Sequence, residues 1–165
     1  MTLPPIARVG DKLVVPACDV GEVMAIETLP IAGDERTFYR IEFPEGGQSW
    51  VPLGTLPEKR IRKVMSRENA LEALVVMAAQ EAPEKRANWN QRKRRYQEMV
   101  MDNSPKLLAT LLGELAAVRR TKGTLSFSEN KVFEQVRGML KREMSLALGL
   151  SVDAVETRLE CALAG

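Results

Sequence analysis

The stretch NWNQRKRRY, Asn88 to Tyr96, sets one of the chain's two tryptophans beside four consecutive cations, Arg92, Lys93, Arg94 and Arg95. Guanidinium and ammonium groups attract phosphate oxygens in a salt-dependent way, and a flat indole stacks on or wedges beside unstacked bases. These side chains therefore suit noncovalent recognition of a distorted or partly opened duplex. Catalytic chemistry finds less support. The chain has no histidine, and so lacks the commonest general base, the usual activator of Ser and Cys nucleophiles and the commonest metal ligand. Paired acids such as Asp34-Glu35 fall in an apparent turn, and neither a Gly-rich phosphate loop nor a metal-ligand spacing is present. Cys18 and Cys161 lie near opposite ends of the chain, outside any CxxC pattern, and are expected as free thiols with no disulfide, metal or cofactor. A non-enzymatic protein is expected.

The cations and the indole need a helix to hold them. Asn88 is a plausible N-cap with Gln91 at the third helical position, which places Trp89 at the first. At 100° per residue Trp89, Arg92, Lys93 and Tyr96 then share one face, with Arg94 and Arg95 on either side. The first helical position projects from the helix end, a poor place for an ordinary core side chain. A structural reading stands equally beside the recognition one: Tyr96 and Val100 continue the same face, so Trp89 staples the helix to its neighbours and the cations are a solvated surface.

Further caps place other helices. Ser66 opens SRENALEALVVMAAQ, and Pro83 interrupts; Ser104-Pro105 starts PKLLATLLGELAAVRR, which Lys122-Gly123 ends. Ser126 and Glu129 form an S-x-x-E box before NKVFEQVRGMLKREMSLALG, and Ser151 caps a last helix. Leu108, Leu111, Leu112 and Leu115 are expected as core. Ahead of these helices DKLVVPA, GEVMAIETL, RTFYRIEF and QSWVPL read as short strands. Turn signals separate them at Asp19, at Ala32-Gly33-Asp34 and at Pro44 to Gly47. About four strands in some sixty residues suit a small curled antiparallel sheet or SH3-like barrel.

Charge divides along the same line. Residues 1–57 carry four Lys/Arg and eight Asp/Glu, and the remainder carries twenty and fourteen. An acidic front and a basic rear suggest two modules with different partners. With 45% hydrophobic residues among 165 there is enough apolar surface for a real core. No apolar run is long enough to span a bilayer, and MTLPPIARVGDK lacks the basic-then-apolar order of a signal peptide, so a cytoplasmic protein is expected.

Read together, the modules resemble the CarD family of bacterial RNA polymerase-binding transcription factors, which includes the CdnL-type proteins. VGDKLVVPACDVGEVMAIE is similar to the family's opening, a GDxVVYP-type strand, a short turn and a VGxVxxIE-type strand. AGDERTFYRIEFPEGG followed by WVPL, the Trp89 helix start and the DNSP break at Asp102 to Pro105 are similar too. So are LSFSENKVFEQVRGML and REMSLALGLSVDAVE, and the likeness runs in the expected order over essentially the whole chain.

The resemblance implies an α+β fold: a small antiparallel Tudor/SH3-like β-barrel over residues 1–64 that docks on the RNA polymerase β subunit, then an all-α DNA-binding domain of about five helices over 65–165. It implies that the helical domain contacts promoter DNA at the upstream edge of the melted bubble. There Trp89 wedges against the minor groove, Arg92 and Arg94 hold the backbone, and Lys93 and Arg95 add to the patch. Where several relatives carry basic residues on the polymerase-facing strands, this chain has Leu29 and Trp50. Its polymerase contact is accordingly expected to be more apolar, centred on Leu29, Phe38, Arg40 and Trp50. A cytoplasmic, nucleoid-associated monomer without catalytic activity is expected. The other reading is a polymerase-tethered adaptor whose helical module binds a second protein and no DNA.

Overall fold

The computed structural model describes residues 7–165; the first six, part of the stretch read above for a signal peptide, lie outside the described residues. The chain divides into two compact units, one ending at Val64 and one beginning at Met65.

In the first unit β1 (Lys12–Val14), β2 (Val20–Ile31), β3 (Asp34–Glu42), β4 (Gln48–Pro52) and β5 (Arg62–Lys63) form an antiparallel sheet ordered β4-β3-β2-β1-β5. The β2–β3 hairpin closes on Ala32 and Gly33, with φ of 51° and 88°, between paired Ile31 and Asp34. Two positive φ values in a two-residue loop match the right-handed twist of the flanking strands. One face of the sheet buries Leu13, Val23, Tyr39, Ile41 and Val51, joined by Leu56 and Ile61 from the connection to β5. The strands β4 and β5 occupy the two ends of the sheet. The fifth strand adds to the four read from sequence; at two residues it is too short to show an alternation.

A bulge decides which residues reach the other face. Register shifts between Val23, paired with Ile41, and Ala25, paired with Arg40, which leaves Met24 as the extra residue. Beyond it the parity of β2 reverses. Ala25, Glu27 and Leu29 now share the side of Phe38 and Arg40, opposite the core face of Tyr39 and Ile41.

The second unit has five helices: α1 (Arg67–Ala78), α2 (Trp89–Asp102), α3 (Pro105–Lys122), α4 (Phe127–Leu148) and α5 (Val152–Leu163). Each begins on a polar side chain that accepts a hydrogen bond from the third helical N–H: Ser66 from Asn69, Asn88 from Gln91, Ser104 from Leu107, Ser126 from Glu129 and Ser151 from Ala154. Gly123 and Gly149 end α3 and α4 in the left-handed conformation that costs glycine nothing. Leu108, Leu111, Leu112 and Leu115 are fully buried, as the sequence predicts, and make α3 the axis against which the other four helices pack. The α1–α3 crossing is especially close. A Cβ on Gly113 would lie 2.5 Å from the Met77 carbonyl oxygen.

Candidate nucleic-acid interface

The start of α2 holds the indole as the cap chemistry predicts, with a difference. Trp89 is the first helical residue, and its ring is partly buried against the helical core instead of standing free. The residue packs against the core, and part of it remains in solvent. Arg92 covers the ring, its guanidinium carbon 5.4 Å from the ring centroid, within the range of a cation–π contact. The same guanidinium donates to the Ala87 carbonyl oxygen at 2.7 Å. At 21% side-chain exposure Arg92 therefore orients the indole and does not project as a free cation.

The remaining basic residues face outward. The Arg94 side chain is 84% exposed and lies 3.4 Å from Glu98, an exposed pair one turn away that adds little to stability. Arg95 bonds Glu114 on α3 at 2.8 Å. Lys93 is exposed and forms no ion pair among the described residues. Tyr96, expected on the face of Trp89, is buried with its hydroxyl in a charged network.

Glu129 is the centre of that network. One carboxylate oxygen, Oε1, accepts from the Ser126 backbone N–H at 3.3 Å while Ser126 Oγ accepts from the Glu129 N–H at 3.2 Å, the capping box read from sequence. The other oxygen, Oε2, accepts from Arg86 and, at 3.3 Å, from Tyr96. Only the first of these roles is visible in S-x-x-E. The second joins the segment before α2, α2 itself and the start of α4. Burial pushes the Glu129 carboxyl up, but the hydrogen bonds from Arg86 and Ser126 outweigh it and leave the group below the usual carboxylate range. Burial likewise pulls Arg86 down, and its bonds to Glu129 and Tyr96 more than restore the charge. Burial raises the Tyr96 phenol.

A pH dependence follows from Glu129. Its folded-state pKa is depressed, so its contribution to stability is complete above the unfolded carboxyl's pKa and is lost as pH falls through the lower folded value. Thermal denaturation of the helical unit across the acid range should show the loss, and Glu129→Gln should flatten that part of the profile. An unchanged acid limb in the variant would remove Glu129 as its source.

Phe127 escaped the sequence reading. It is 87% exposed at the first position of α4, two residues from Glu129. The signal was available: an aromatic directly after a polar N-cap, the arrangement of Asn88-Trp89 repeated in Ser126-Phe127.

The four residues expected at a polymerase contact fall on one face of the sheet. Arg40 lies between Ala25 and Trp50 in the ladder, Phe38 lies between Glu27 and Pro52, and Leu29 follows Glu27 by two. Their availability differs. Trp50 and Leu29 are exposed, whereas Phe38, on the same face, is 8% exposed. Arg40 bonds Glu27 at 3.1 Å and Glu42 at 2.7 Å, and the Trp50 indole N–H donates to Glu27 at 3.2 Å. The face is therefore apolar at Leu29 and Trp50, with a neutralised guanidinium between two carboxylates.

An antiparallel sheet unit is thus followed by a helical unit that carries a cation-flanked indole at a capped helix start. Residues 72–160 match the family model described as CarD, C-terminal domain, over more than half of the chain and wholly within the helical unit, and the chain belongs to the CarD family. It is a CarD-like transcription regulator, of a family that associates with RNA polymerase. No helix among the described residues is long and apolar enough to cross a membrane.

Proposed function

We propose that residues 1–64 dock on the RNA polymerase β subunit through the Leu29–Trp50 face, and that residues 65–165 contact promoter DNA at the upstream edge of the bubble. On this reading Trp89 meets the distorted minor groove while Lys93, Arg94 and Arg95 hold backbone phosphates. Arg92 keeps the indole at its angle, Phe38 backs the polymerase face and Arg40 sets its polarity. The protein acts as a monomer at the nucleoid and catalyses no reaction. Its effect is linkage: a factor that binds only opened DNA raises the population of the open complex by its preference for that state. Attachment to polymerase supplies a high effective concentration, so a small basic patch suffices.

The observation that carries this reading is the partly buried Trp89 at a helix N-terminus, stacked by Arg92 and bordered by outward cations. A salt titration of bubble-DNA binding tests it. Lys93→Ala is expected to reduce the slope of log affinity against log salt by about 1, the share of one phosphate contact. Arg92→Ala is expected to change that slope less and to lower affinity by releasing the indole. The absence of any salt-dependent binding to bubble DNA, even with polymerase present, would instead indicate an adaptor that does not touch DNA.

A further inference from the structure

A cleft of about 320 Å³ opens between the segment before α2, α2 itself and α3, lined by Lys85, Arg86, Arg92 and Arg95. The acid in its lining is Glu114, already bonded to Arg95; Glu129, behind it, serves Arg86 and Tyr96. Four cations thus face two carboxylates, a surplus of two positive charges. Planar guanidinium groups hold phosphate oxygens through paired, charge-assisted N–H donors.

We propose that this cleft is a phosphate-binding site, with Lys85, Arg86 and Arg95 as principal ligands. A phosphate group would offset the surplus, in part for a singly charged diester and fully for a more highly charged free phosphate. The same chemistry has two sources, a free diphosphate or a backbone phosphate of nucleic acid lying beside Trp89. Only the second rests on the DNA-binding reading above.

Nuclear magnetic resonance of the full chain separates them. Inorganic pyrophosphate and a short forked DNA duplex are titrated in turn, following the amides of Arg86, Gln91 and Tyr96 in the cleft and those of Lys93 and Arg94 outside it. Saturable shifts at the cleft with pyrophosphate identify a site for free phosphate ligands; shifts there with DNA alone identify a backbone phosphate. In either case Lys85→Gln/Arg95→Gln, two surface substitutions, should weaken binding by roughly tenfold or more, the loss of charge-assisted hydrogen bonds. The proposal is overturned if neither titrant moves the cleft amides, or if the double variant binds as tightly as the wild type. DNA that shifts Lys93 and Arg94 while neither titrant moves the cleft would refute the site and leave the DNA reading standing. Pyrophosphate saturation with no response to DNA would do the reverse.

Discussion

Glu129→Ala is expected to destabilise the helical unit by about 3–5 kcal/mol, the cost of removing one partner from a buried ion pair. The Arg86 side chain is 14% exposed and that of Glu129 3%, so loss of the carboxylate leaves a guanidinium with little water to replace it. The same change removes the capping-box acceptor of Ser126 and the partner of Tyr96. Replacing both members should cost much less, because no unpaired charge is then left behind. Arg86→Met/Glu129→Met measured against the two single variants therefore separates the charge from the packing. Urea unfolding followed by Trp89 fluorescence, with Trp50→Phe removing the other indole, reports the helical unit alone. A loss below about 1 kcal/mol for Glu129→Ala would be the behaviour of a solvated surface pair, and would contradict the buried network.

Gly113→Ala sets helix propensity against packing. In an exposed helix the change would stabilise by about 1 kcal/mol. Here the added Cβ would meet the Met77 carbonyl oxygen at 2.5 Å, Gln80 Cγ at 2.8 Å and Met77 Cα at 2.9 Å. Gln80 is a flexible side chain that can move, but the Met77 contacts are backbone. The α1–α3 crossing must widen, and overpacking of this kind costs about 1–3 kcal/mol. The expected net result is destabilisation of the helical unit, with larger losses for Gly113→Val. An increase in Tm for Gly113→Ala would mean that α1 moves away freely.

The helical unit was legible in the sequence because its boundaries are set by local chemistry. Ser66, Asn88, Ser104, Ser126 and Ser151 each accept the hydrogen bond their position implies, and Gly123 and Gly149 end their helices. What the sequence could not show depends on residues far apart. Arg86 and Glu129 are separated by 43 positions, so the carboxylate's second role had no local signature. The bulge at Met24 is invisible to an alternation count. Strict alternation from Val23 would have turned Leu29 towards the core, and only the family resemblance placed it on the outer face. Phe38 shares that face with the exposed Leu29 and Trp50, yet it is buried. Arg92 was assigned to phosphate, whereas the indole and the Ala87 carbonyl hold it.

These contacts share a consequence for function. Arg92 fixes the angle of Trp89, and Glu129 ties Arg86, α2 and the first turn of α4 to one another. In the proposed DNA contact, an indole held this way would lose little freedom, which would favour binding from a small contact area.

The most direct measurement is the lifetime of the open complex formed by the cognate polymerase on a responsive promoter, with wild-type protein and with Trp89→Ala. The wild type is expected to lengthen it, and Trp89→Ala to lose most of that effect while binding polymerase as before. An open-complex lifetime that the wild type leaves unchanged, or that Trp89→Ala extends equally, would contradict the role given to the indole.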